Sequence, residues 1–123
     1  MGTTPVPPRS LSGREEAILL KVLSGDVEGA ARFLGQIPFA KVVATWGVGS
    51  PSVDLEVLAG AEAVRGMDGL LPVGAEVRDQ SGEYIGEILV WVDGGYLSAI
   101  EYAWVSDDRP TVLPDPAALT VSH

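Results

Sequence analysis

VGAEVRDQSGEYIGEILVWVDGGYLSAIEYAWV, residues 73–105, is the stretch on which the fold turns. It reads as three consecutive β-strands joined by two tight turns, and it holds Tyr84, Trp91, Tyr96, Tyr102 and Trp104, five of the eight aromatic residues. The first turn is Asp79-Gln80-Ser81-Gly82, with glycine where a positive φ is expected. The second is stronger: Gly94-Gly95 after Asp93 suits a two-residue type I′ loop, whose twist matches a β-hairpin. That loop sets Val92 opposite Leu97, Leu89 opposite Ile100 and Ile85 opposite Trp104. A loop one residue longer would set Glu87 against Glu101, and like charges so placed repel.

In this register Val90, Val92, Leu97 and Ala99 share one face, with Glu101 beside them. Ile85, Leu89, Trp91, Ile100 and Trp104 share the other. Both faces are apolar, so both require cover. Helices can cover one. The other falls to residues 59–72, to the proline-punctuated tail RPTVLPDPAALTV, or to a second copy of the chain, which makes a homodimer an expectation.

Upstream of this stretch, residues 59–72 show no firm period, and a helical turn at 61–65 is the only element suggested. Residues 52–58 alternate, with Val53, Leu55 and Val57 on one side and Asp54 and Glu56 on the other, as in a strand with one wet face. Residues 39–46, FAKVVATW, are β-branched and apolar and predict another strand, which GVGSPS breaks. Earlier still, Ser12 and Glu15 form a capping-box pattern before Ile18, Leu19, Val22 and Leu23 at helical spacing. Gly25 suits the end of that helix, and Asp26 the start of a second over 27–35 that buries Val27, Ala30, Ala31 and Leu34. The pair predicts a helical hairpin lying on the sheet. Residues 1–10, with Pro5, Pro7 and Pro8, read as a flexible arm. The fold class is therefore α+β: a single domain over 11–121, with an N-terminal helical hairpin packed on an antiparallel sheet of four to five strands. The core is expected to include Ile18, Val22, Leu55, Leu89 and Ile100.

Charge is uneven. Residues 1–41 carry a net +1, whereas 42–123 carry −10, with only Arg65, Arg78 and Arg109 against thirteen acids. Such a field repels nucleic acid and anionic membrane and favours a basic protein partner. No apolar run approaches the length of a membrane span. The N-terminal residues lack the apolar core of a secretory signal, and Val6 stands where a myristoylation pattern wants Ser or Thr. A cytoplasmic location is the expectation.

Catalytic chemistry has few candidates. The one histidine is His123 and there is no cysteine, so a conventional nucleophile–base pair is not expected, nor a metal or other cofactor. Gly47-Val48-Gly49-Ser50-Pro51-Ser52 lacks the third glycine of a dinucleotide fingerprint and reads as a turn. Asp54 and Glu56 form a carboxylate pair on one strand face, the arrangement also expected of a solvated face. Glu101, mid-strand between Ile100 and Tyr102, is the carboxylate to single out, because partial burial there would demand a partner such as Arg78 or Arg32.

The segments LSGRE at 11–15, PSVDLEV at 51–57 and GEYIGEILVWVDGGYLSAIE at 82–101 resemble a group of small uncharacterised actinobacterial proteins. The resemblance spans roughly 11–106, and its motifs are structural, with no activity attached. Relatives carry a cysteine-rich segment before the Pro-Ser strand. Here that segment is Trp46-Gly47-Val48-Gly49-Ser50, so a metal or redox role does not carry over.

The sequence thus points to a non-enzymatic interaction module of immunity or regulatory type. Its candidate surface is Trp91, Ile100, Tyr102, Trp104, Asp54, Glu56 and Glu87, presented to a basic protein. The alternatives are a small-molecule binder with a pocket between the sheet and 59–72, and a minimal hydrolase or isomerase using Glu101 or Asp54 with Glu56.

Overall fold

A computed structural model describes residues 3–25 and 27–122. The expected roles of Asp26 as a helix cap and of His123 lie outside the described residues. The chain is α+β, but its sheet is larger than expected, with eight antiparallel strands among the described residues. In chain order these are β1 (Thr4–Ser10), β2 (Ala40–Thr45), β3 (Val53–Val57), β4 (Gly69–Leu70), β5 (Gly74–Arg78), β6 (Tyr84–Asp93), β7 (Tyr96–Trp104) and β8 (Leu119–Ser122). The spatial order is β1-β2-β3-β7-β6-β5-β8, with β4 pairing on β6.

The three additional strands come from segments without strand periodicity. Residues 4–10, expected as a flexible arm, are β1: Thr4 pairs with Thr45 and Ser10 with Lys41, and Val6 packs against the core. The prolines do not prevent this, because an edge strand needs its N–H groups on one side only. Residues 59–72 contain no helix; they bury Val64 and Leu71 and give β4 its pairing with Trp91 and Val92. The tail runs beside Thr45 and Val53 and then beside Tyr102, Ile85 and Val77. It places Leu113 in the core and adds β8 along β5.

Among the described residues there are two α-helices, and their main packing is not on each other as the expected hairpin requires. Helix α1 (Gly13–Val22) starts with the expected capping box at Ser12 and Glu15, and its C-cap is Leu23, short of Gly25. It buries Ile18, Leu19 and Val22 and packs on the 3-10 turn Pro116–Ala118. Helix α2 (Ala30–Gln36) starts later than expected, after Gly29 at φ 79°, and packs on β7. Each helix has found its own partner in the sheet or tail, so neither needs the other.

The β6–β7 hairpin turns at Gly94 and Gly95, with φ of 58° and 87°, and Val92 faces Leu97 as expected. Beyond that pair the register slips by one. Trp91 faces Ala99, Val90 faces Ile100, Leu89 faces Glu101 and Gly86 faces Trp104, which leaves Ser98 as the extra residue of a β-bulge. Ile100 therefore does not face Leu89, nor Trp104 Ile85. The physical reason is the pattern of β7 itself. Unbroken alternation from Leu97 would send Ala99 and Glu101 into the core. The bulge turns Ile100 and Tyr102 inward instead, and a buried unpaired carboxylate is avoided.

The core face thus collects Ile88, Val90, Val92, Leu97, Ile100 and Tyr102, together with Val42, Val53 and Leu55 from the neighbouring strands. Ile18, Val22, Leu55 and Ile100 are buried as expected. Leu89 is not; it is half-buried on the outer face.

One polar side chain organises this core. Gln36 is fully buried; its Nε2 donates to the carbonyls of Glu62 (2.8 Å) and Gly95 (2.9 Å), and its Oε1 accepts from the Leu97 amide (2.9 Å). It therefore ties α2, the 59–66 loop and the hairpin turn together. Gly95 is required there for a second reason: a Cβ would lie 2.6 Å from the Val64 carbonyl oxygen.

Candidate interaction site on the outer sheet face

The bulge at Ser98 decides which side chains reach the outer face. Glu101 turns outward with Leu89, Trp91 and Ala99, not with Val90 as the unbulged register implied. On β3, Asp54 pairs with Ala99 and so joins the same face, with Glu56 two residues along it. Glu87 faces Ala103 on the far side of Glu101. Of the expected surface, Trp91, Asp54, Glu56 and Glu87 therefore share one face, with Glu56 toward the hairpin-turn end and Glu87 toward the other. Ile100 and Tyr102 are removed from it, at 0% and 6% exposure. Burial pushes the Tyr102 phenol above its ordinary pKa. Trp104 lies on the core-face side but at the strand end, where it is exposed.

Indole rings fix two of the carboxylates. Trp91 Nε1 donates to Glu101 Oε1 at 2.9 Å, and Trp46 Nε1 donates to Asp54 Oδ1 at 2.8 Å. Neither bond involves Arg78 or Arg32, the cations suggested for Glu101; Arg78 reaches Glu76 and Arg32 reaches Glu62. Among the described residues Asp54, Glu56, Glu87 and Glu101 take part in no ion pair.

Beside Glu101 the sheet opens. The β3–β7 pairing ends at Val53 with Ile100, and the next β7 amide, that of Tyr102, donates to Ser52 Oγ at 2.9 Å. The opening is a cleft of about 450 Å³ walled by Trp46, Trp104, Glu101, Ser50 and Ser52, with Arg109 on its rim. Gly47 lies close beneath that guanidinium, since a Cβ there would be 3.8 Å from an Arg109 terminal nitrogen. Trp46 and Arg109 were not singled out in the sequence. The signal for Trp46 was its spacing from Asp54 across the turn between β2 and β3; Arg109, in an irregular tail, left none.

The three carboxylates proposed for catalysis do not converge. Asp54 is engaged by Trp46, Glu101 lines the cleft, and Glu56 lines a separate recess of about 200 Å³ with Asp93 and Tyr96. The cavity nearest residues 59–72, about 490 Å³, lies between the start of α2 and Val64, Arg65 and Met67, not between that segment and the sheet. Among the described residues no helix is long and apolar enough to cross a membrane. No protein-family model, curated protein or solved structure matches the chain.

Proposed function

We propose that the protein is a non-catalytic interaction module of regulatory or immunity type, which receives a basic protein partner on the outer face of β3, β6 and β7. The observation that carries this is one composite surface. Leu89, Trp91 and the exposed Leu70 share it with Asp54, Glu87 and Glu101, three carboxylates without ion pairs among the described residues. Aromatic side chains are the usual anchors of an interface, and unpaired like charges around them steer an oppositely charged partner.

The test is a fluorescence titration of the tryptophans with a heptapeptide of alternating lysine and valine, against its glutamate–valine counterpart. Binding of the cationic peptide alone is expected, weakened roughly tenfold between about 50 mM and about 500 mM salt as screening grows. Trp91→Ala, or Glu87→Gln with Glu101→Gln, should weaken it further. Equal response to both peptides would end the reading.

One observation favours a second reading. A cleft of about 450 Å³ between two indoles has the size of a small-molecule pocket. A planar aromatic ligand that shifts the Trp46 and Trp104 signals, and leaves Trp91 unmoved, would support it.

A further inference from the structure

The β7 backbone beside the cleft has hydrogen-bonding groups that β3 leaves behind. Val105 N–H donates to the Ile85 carbonyl at 3.0 Å, so residue 105 bonds across to the β6 side. Antiparallel strands alternate the direction of these groups, so residues 100, 102 and 104 turn theirs toward β3. Ile100 meets Val53 there and the Tyr102 amide meets Ser52 Oγ. No described residue meets the Tyr102 carbonyl or the amide and carbonyl of Trp104 on this side.

We propose that this edge, residues 102–105 of β7, is a strand-addition site for an extended segment of a basic partner. The segment continues the sheet where β3 departs, and this inference rests on the interaction-module reading above. Alternation along an added strand gives it two kinds of side chain. Those on the outer face enter the cleft beside Glu101 and the Trp46 indole, where a lysine or arginine gains both carboxylate and cation–π contact. Those on the opposite face lie against Trp104, which is 39% exposed, and want apolar groups. Among the described residues Arg109 is the cation that lines the cleft and Glu101 its carboxylate, with Asp54 and Glu87 elsewhere on the same outer face. The two outermost strands are poorer templates. β1 carries Pro5, Pro7 and Pro8, and β8 has four residues and no cleft of this kind beside it.

Amide-resolved NMR and hydrogen exchange on the full chain, with the lysine–valine heptapeptide as probe, test the proposal. Two further probes are N-methylated at alternate residues, one along each edge of the peptide. Strand addition predicts slower exchange at the Trp104 amide by at least about tenfold at saturation. It also predicts that one methylated register loses binding while the other keeps it. Arg109→Ala should tighten binding severalfold.

If both methylated peptides bind as the parent does, strand addition is overturned while the interaction reading survives, the partner docking through side chains alone. If the unmethylated peptide fails to bind, both fall. If the Trp104 amide is already protected without peptide, in proportion to protein concentration, the edge is occupied by a second copy of this chain and the partner assignment is overturned.

Discussion

Replacing Gln36 by leucine tests the account of the core most sharply, because shape is nearly kept and only hydrogen bonds are lost. Three bonds disappear, but their consequences differ. The Gly95 carbonyl retains its bond from the Val64 amide at 2.9 Å. The Glu62 carbonyl is partly buried, so water can replace its lost donor in part. The Leu97 amide is buried and loses its acceptor outright. An orphaned buried amide costs about 1–3 kcal/mol, and a partly rehydrated carbonyl adds about 0.5–1.5 kcal/mol. The sum, about 1.5–4.5 kcal/mol, is a large share of the roughly 5–15 kcal/mol by which domains are stable.

Urea unfolding followed by tryptophan fluorescence would measure it, with native-state hydrogen exchange at Leu97 as the local readout. The expected outcome is a lower midpoint with an unchanged slope, and loss of protection at Leu97 beyond the global change. A destabilisation under about 0.5 kcal/mol would mean that Gln36 is replaceable and that the 59–66 loop is held by Val64 burial instead.

Gly95→Ala should destabilise far more than Gly94→Asn, because a Cβ at Gly95 strikes Val64 backbone whereas none lies within 4 Å of Gly94, and asparagine tolerates positive φ; equal midpoints would refute the close approach. Ile100→Ala should cost about 2–5 kcal/mol in unfolding free energy, and Leu89→Ala about 1 kcal/mol, given their different faces; the reverse order would restore the unbulged register. Burial acts to raise the Glu15 pKa, but hydrogen bonds from Arg9 and Ser12 and the Arg9 charge outweigh it, holding the carboxyl below its ordinary 4.5. Since the unfolded chain then takes up the proton first, the stabilisation is present above about pH 4.5 and is lost as pH falls through the lower folded value. Glu15→Gln should flatten that acid limb in a series of thermal melts.

Much of the fold was legible because local chemistry and tertiary structure agree. The Ser12–Glu15 capping box, the Gly94-Gly95 turn and the alternation of Val53, Leu55 and Val57 each state their structure within a few residues. The missed strands share a different property. β1 is proline-rich, β4 has two residues and β8 follows a string of turns, so each is a strand only because a neighbour offers it an edge. The absent helical hairpin has the same origin. Two amphipathic helices in sequence suggest mutual packing, but the unforeseen eight-stranded sheet and the tail gave each a separate seat.

The candidate site was half legible for a reason that can be located at Ser98. A period-two reading assigns every side chain in a strand from any one of them, so a single inserted residue inverts everything beyond it. The sequence contained the correction: LSAIEY places Ile100 and Tyr102 out of phase with Leu97, and only a bulge between them reconciles all three with one core. The same inserted residue turns Glu101 away from the core and toward Trp91. Beyond Ile100, the pairing of β3 with β7 ends and the cleft opens. The bulge is therefore where fold and site meet. The hydrophobic demand of the core fixes the phase of β7, and that phase places a carboxylate, two indoles and an unpaired strand edge at one corner of the sheet.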